Sequence, residues 1–167
     1  GARHKEQLYH FVSRLAFDIR GLGPKIIDRF LDEGLIGDAV DIFVLKKGDI
    51  AALERFGEKS ADNLIKEIEQ RKKIILPRFL YGLGILRVGE ETAALLARSI
   101  MENVKSDKRF LTISDIFSYF QHVSVDVLQT ISDIGPAVAQ SIYDWFHESR
   151  NINFLKNLEK AGIQIEI

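Results

Sequence analysis

Cysteine is absent from all 167 residues, which excludes disulfides, thiolate zinc sites and thiol nucleophiles. That absence fits a reducing compartment without establishing one. Proline occurs three times, and two of the three, Pro24 and Pro136, directly follow a glycine. No apolar run approaches the roughly 18 residues a membrane span needs, so no membrane partner is expected. The opening Gly1-Ala2-Arg3-His4-Lys5-Glu6 lacks the apolar core of a signal peptide, and the chain reads as one that starts mid-protein. A strong charge of either sign is also missing: the net charge is −1. Residues 1–100 carry 17 Lys+Arg against 15 Asp+Glu, and residues 101–167 carry 6 against 9. The broad basic footprint of many nucleic-acid binders is therefore lacking, and any such function must rest on where donors point. With 46% hydrophobic and 28% charged residues, the composition is that of a globular chain long enough for one or two small cores.

What is present is a short repeat. It reads Gly21-Leu22-Gly23-Pro24-Lys25-Ile26-Ile27, then Arg55-Phe56-Gly57-Glu58-Lys59-Ser60-Ala61. It returns as Arg87-Val88-Gly89-Glu90-Glu91-Thr92-Ala93 and as Asp133-Ile134-Gly135-Pro136-Ala137-Val138-Ala139. The glycines at 23, 57, 89 and 135 are 34, 32 and 46 residues apart, a near-regular period that signals a repeated structural unit. Each position has a physical reason. The apolar residue plugs the turn into the core. Gly permits a positive φ or the close approach of another molecule's backbone. Pro or Glu suits a first helical turn, the one because its missing N–H has no partner there, the other because it faces the positive dipole end. Ala or Ile, four residues after Gly, faces inward.

The flanks predict helices. Leu8, Phe11, Val12 and Leu15 have helical spacing, as do Leu64, Ile65 and Ile68. Asp49, Ser114 and Ser124 stand where N-caps belong, Gly34 and Gly162 where helices end, and Pro77 opens a helix over 78–83. Ile163–Ile167 is the one candidate strand. The expected fold is all-α, ten to twelve short helices forming four tandem helix-hairpin-helix motifs in two pseudo-symmetric halves. The first half covers residues 1–76 and the second 77–167, with an insertion near 101–112 accounting for the longest spacing.

A helix N-terminus behind a tight glycine turn offers unpaired N–H groups and partial positive charge, an anion site that needs no charged side chain. Several on paired hairpins can follow successive phosphates without reading bases. Lys25 and Lys59 share the second helical position, Arg55 and Arg87 stand two before the glycine, and Ser60 and Thr92 add hydroxyls. The candidate DNA-binding residues are Gly21, Gly23, Lys25, Arg55, Gly57, Lys59, Ser60, Arg87, Gly89, Thr92 and Gly135. Hairpin four departs, with Asp133 and Ala137 in place of cations, and is expected to bind weakly or to pack. His4, His10, His122 and His147 show no metal-ligand spacing, and no acid–base pair stands out. No catalytic residue and no metal site is expected. Trp145, with Ile142 and Phe146, reads as core, and Arg71-Lys72-Lys73 as a solvated helix end.

Longer stretches carry a family resemblance. Leu8-Tyr9-His10-Phe11-Val12-Ser13-Arg14, running on through Asp18-Ile19-Arg20-Gly21-Leu22-Gly23, resembles the segment after the zinc finger of bacterial NAD+-dependent DNA ligases. The stretch from Leu53 to Asn63 is similar to the second hairpin of that family's helix-hairpin-helix domain, and Arg78–Ile85 with Arg87–Ala93 to the third. The likeness is weakest over 101–112 and hairpin four. It implies a parent enzyme that seals nicks in duplex DNA during replication and repair, with NAD+ as adenylate donor, Mg2+ and a zinc finger. Within such an enzyme this domain grips nicked double-stranded DNA from the minor-groove side. The family's adenylated Lys-x-Asp-Gly motif and its zinc cysteines are not in this sequence, so this chain would bind none of those cofactors and catalyse nothing alone. A monomer in the bacterial cytoplasm, at the nucleoid, is implied. Two alternatives stand beside it: the DNA-binding domain of another repair protein, such as an excision nuclease subunit, and an α-helical protein-interaction module that uses the same turns only for packing.

Overall fold

The computed structural model describes residues 1–104 and 109–167. In chain order its elements are α1 (Ala2–Val12), α2 (Pro24–Asp32), α3 (Ala39–Ile42), α4 (Lys47–Ala51) and α5 (Glu58–Gln70), then β1 (Lys73–Ile75), α6 (Leu76–Gly82) and α7 (Glu90–Asn103). They continue with β2 (Phe110–Leu111), α8 (Ile113–His122), α9 (Val125–Leu128), α10 (Pro136–His147), α11 (Ser149–Lys160) and β3 (Gln164–Glu166). The fold is all-α apart from these three short strands. The chain divides into two compact units, Gly1–Lys72 and Lys73–Ile167. Among the described residues no helix is long and apolar enough to cross a membrane.

The first unit packs around phenylalanine. Phe11 stacks on Phe17 with centroids 4.1 Å apart, and Phe43 meets Phe11 edge-on at 5.9 Å. Tyr9 of α1 donates to Asp28 of α2, which tethers the two helices and raises the Tyr9 pKa through that hydrogen bond. The first helix is shorter than its apolar spacing predicts. Ser13 adopts an extended conformation and its hydroxyl donates to the His10 carbonyl, so α1 stops at Val12 and Leu15 lies exposed in the following turn. Gly34 and Gly162, at φ +73° and +97°, follow the ends of α2 and α11, as their sequence positions predict.

The second unit joins helices to a sheet of order β1-β3-β2. β3 pairs in parallel with β1 and antiparallel with β2. The expected strand at the C-terminus thus exists, with two strand partners that have no sequence signature. Of the expected caps, Ser124 accepts from the Val127 N–H at 3.1 Å. Asp49 instead lies inside the first turn of α4, behind Lys46. The cap of α8 is Thr112, in a reciprocal box with Asp115 (3.0 and 2.9 Å), while Ser114 donates from N and Oγ to Glu159 of α11. In the basic run, Arg71 pairs with Glu67 at 2.8 Å and Lys72 with Glu69 at 2.9 Å, both half-buried, while Lys73 begins β1 and is exposed as expected. The expected insertion falls partly on 105–108, outside the described residues; around them α7 runs on to Asn103 and β2 begins at Phe110.

Candidate nucleic-acid interface

All four repeats fold into the same turn. The N–H of each apolar plug closes on the carbonyl three residues back: Leu22 on Ile19 (3.3 Å), Phe56 on Leu53 (3.1 Å), Val88 on Ile85 (3.0 Å) and Ile134 on Ile131 (3.1 Å). The third residue of each bend is left-handed: Gly21 at φ +93°, Arg55 at +70°, Arg87 at +70° and Asp133 at +68°. Left-handed backbone in an L-residue costs about 1–2 kcal/mol. Only the first repeat meets that demand with glycine. A Cβ on Gly21 would be strained and would sit 3.4 Å from Leu64 Cδ1, so this residue has a conformational reason to be glycine.

The repeat glycines do not supply the positive φ that the sequence offered as one of two reasons for them. Gly23, Gly57, Gly89 and Gly135 are extended N-caps, with φ of −79°, −144°, −91° and −86°. Any residue adopts that conformation. A Cβ added at any of the four meets nothing within 4 Å. What glycine leaves there is open surface at a helix start.

Each of these helices hangs from its glycine. The carbonyls of Gly23, Gly57, Gly89 and Gly135 accept from Ile27, Ala61, Ala93 and Ala139 at 2.9–3.0 Å. Those four residues are wholly buried, which is why the position takes Ala or Ile. No side chain caps the N-termini of α2, α5, α7 or α10, unlike those of α3, α8 and α9. Their first-turn N–H groups and positive dipole ends are left for an outside acceptor. The plugs Leu22, Val88 and Ile134 are buried. Phe56 is half-buried, 5.9 Å from the Phe30 ring, with the Arg29 guanidinium 5.6 Å over its face.

Charged side chains cluster unevenly around these N-termini. Lys25 and Lys59 are exposed at the second positions of α2 and α5, and Arg55 is exposed at the second turn. Ser60 is exposed and Thr92 half-buried. Lys66, about two turns beyond Lys59, is held by Asp62 at 2.8 Å, a hydrogen bond that lowers the Asp62 pKa and raises that of Lys66. At the third turn, Arg87 donates from Nη1 to Ser141 Oγ of α10 at 3.2 Å. Sequence reasoning missed Ser141, because nothing local marks a partner 54 residues away. The fourth turn exposes Asp133 and Ala137 and brings no cation of its own. Trp145 is half-buried rather than core: Ile142 and Phe146 fill the interior, and the indole lines an open cleft of about 440 Å³ between turn three and α10.

Among the described residues, no three His, Cys, Asp or Glu side chains come together to hold a metal ion.

Two paired hairpins per unit, each ending in an uncapped glycine helix start, define a helix-hairpin-helix protein. Residues 13–70 match the family model described as a SAM-like helix-hairpin-helix tandem, and residues 78–155 match the helix-hairpin-helix motif, so the chain belongs to that family. Within it, the sequence is similar to bacterial DNA ligases. It is 43% identical over 162 residues to the DNA ligases of Coxiella burnetii and Nitrosococcus oceani, and 40% identical to that of Desulfitobacterium hafniense. Each match covers 97% of this chain, and the chain spans 22% of the length of each of these relatives. It corresponds to a helix-hairpin-helix region of such a ligase.

Proposed function

We propose that this chain holds nicked duplex DNA for a DNA ligase, gripping the phosphate backbone without regard to base sequence. The observation that carries this is the set of four N-cap glycines whose missing side chains fill no need of the fold and leave helix N-termini open. A phosphate seated there accepts from first-turn N–H groups and meets the positive dipole end. Backbone donors contact phosphate oxygens alone, so they position the duplex and read nothing from it.

In this reading Lys25 and Lys59 add point charges beside the first two sites, and Ser60 and Thr92 add hydroxyl donors. Arg55 and Arg87, at the tips of turns two and three, reach flanking phosphates. Turn four, with Asp133, contributes least and serves chiefly to support α10. Adenylate transfer and nick sealing, with the NAD+ and metals they imply, fall to parts of the parent enzyme outside this chain.

The test is a mobility shift of the chain on random-sequence duplex, intact and nicked, beside an adenylation assay with labelled NAD+. Retarded duplex of any sequence and no label on the chain are expected. Failure to retard duplex, or label transferred to the chain, contradicts the proposal.

A further inference from the structure

Turn three and α10 form the two walls of the open cleft of about 440 Å³. Leu86 stands on one wall, 65% exposed, and Trp145 stands half-buried on the other. Asp144 and Glu148 line the same cleft on either side of Trp145, and both are exposed. Each is held by a neutral amide: Gln140 Nε2 donates to Asp144 at 2.8 Å and Asn151 Nδ2 to Glu148 at 3.3 Å. Among the described residues neither carboxylate belongs to an ion pair. Arg87, on the rim of the cleft, gives its Nη1 to Ser141 instead, and His147 stacks on Tyr143 at 3.9 Å. This placement costs the fold stability. Asp144 lies in the last turn of α10 and Glu148 is its C-cap, where the helix dipole is negative. The two also stand four residues apart, a spacing at which like charges destabilise a helix.

The lining selects the occupant by charge and by apolar surface together. Two carboxylates without a cation repel nucleic acid and any other anionic surface. Leucine and indole walls offer no oxygen donors, so they do not suit a hard metal ion. A protein segment with a cation beside an apolar side chain matches both features. We propose that this cleft docks a partner protein through an arginine, whose guanidinium lies between Asp144 and Glu148 against the Trp145 indole while an apolar neighbour covers Leu86. A guanidinium meets carboxylates with a planar fork of donors and stacks on an indole face in the same pose. Tryptophan and arginine are also the residues most used as anchors where proteins meet. The site stands apart from the phosphate seats at the helix starts and does not depend on them.

Trp145 is the only tryptophan of the chain, so its fluorescence reports on the cleft alone. The experiment measures quenching of Trp145 by acrylamide in the whole chain, with two capped peptides as probes: acetyl-Arg-Leu-Arg-Leu-amide and acetyl-Glu-Leu-Glu-Leu-amide. The basic peptide shields Trp145 saturably and the acidic one does not. Asp144→Asn with Glu148→Gln weakens that shielding by about fivefold or more. Both positions are exposed, so this variant folds, and its Tm equals or slightly exceeds that of the unsubstituted chain because a like-charge pair has left the helix end. No shielding by the basic peptide, equal shielding by the acidic one, or undiminished shielding in the variant overturns the proposal. A duplex that shields Trp145 as fully would make the cleft a nucleic-acid surface. Shielding that grows with protein concentration, without peptide, would make it a contact between copies of this chain. Either result overturns the proposal as well.

Discussion

Arg55 and Arg87 share one backbone conformation, φ +70° at the third position of a bend, two residues ahead of Gly57 and Gly89. Neither conformation is cheap for a residue with a Cβ. Glycine occupies the equivalent place in turn one, so glycine is compatible with the bend and the arginines are retained at a cost in stability. At position 55, Arg55→Gly and Arg55→Ala each remove the guanidinium and should weaken duplex binding alike. Chemical denaturation should find the glycine variant more stable than the alanine variant by about 1 kcal/mol, the reverse of their usual order. Equal stability of the two, or a more stable alanine variant, would show that the bend is not strained.

The two kinds of glycine in these turns separate experimentally. Gly21→Ala places a Cβ at φ +93° and close to Leu64, and should lower stability by about 1–2 kcal/mol. Gly57→Ala meets no atom within 4 Å and keeps an extended backbone. It should cost under about 1 kcal/mol, the ordinary price of a poorer N-cap, yet weaken duplex binding clearly. Thermal melts and anisotropy on both variants decide the matter. A folded Gly57→Ala protein with full affinity would remove the central reason for reading that surface as a phosphate seat.

Much of this was legible in sequence because the repeat joins two strict demands. Ala61, Ala93, Ala139 and Ile27 must fit a wholly buried place, and the plug must precede the glycine, so the pattern survives in all four copies. The left-handed position was not legible, since three of its four occupants are Arg or Asp and only Gly21 signals it. The sheet was largely hidden for another reason. β1 and β2 have three and two residues, too few for alternation to show, and β1 pairs with residues at the far end of the chain. Ser141 was hidden likewise, its role being set by where α10 packs. Trp145 shares the helical spacing of its buried neighbours, and spacing alone does not separate a core face from a cleft wall.

Packing beneath the turns is tight and should respond to overfilling. Ala93 is fully buried one turn into α7, with its N–H bonded to Gly89 at 2.9 Å. Ala93→Leu should lower stability by about 1–3 kcal/mol, seen as a lowered Tm, and should weaken binding by displacing the N-terminus of α7. An unchanged Tm would mean that the helix start is not fixed by this contact.

Turn four should be electrostatically indifferent. Asp133 is exposed, tolerates its left-handed backbone as aspartate often does, and has no neighbouring cation in its own turn. Asp133→Asn should leave duplex affinity unchanged or slightly higher. Lys59→Ala should weaken binding to every sequence and reduce the salt slope by about one unit. Lost affinity in Asp133→Asn, with none in Lys59→Ala, would reverse the order of the hairpins.

The central claim is that this nearly neutral chain binds DNA through phosphates and reads no bases. Its most direct test is a salt titration of the unsubstituted chain on two duplexes of unrelated sequence and equal length. Equal affinities are predicted at every salt concentration, with log K falling linearly against log salt at about −0.9 per neutralised phosphate. A persistent preference for one duplex, or binding that does not weaken with salt, would contradict it.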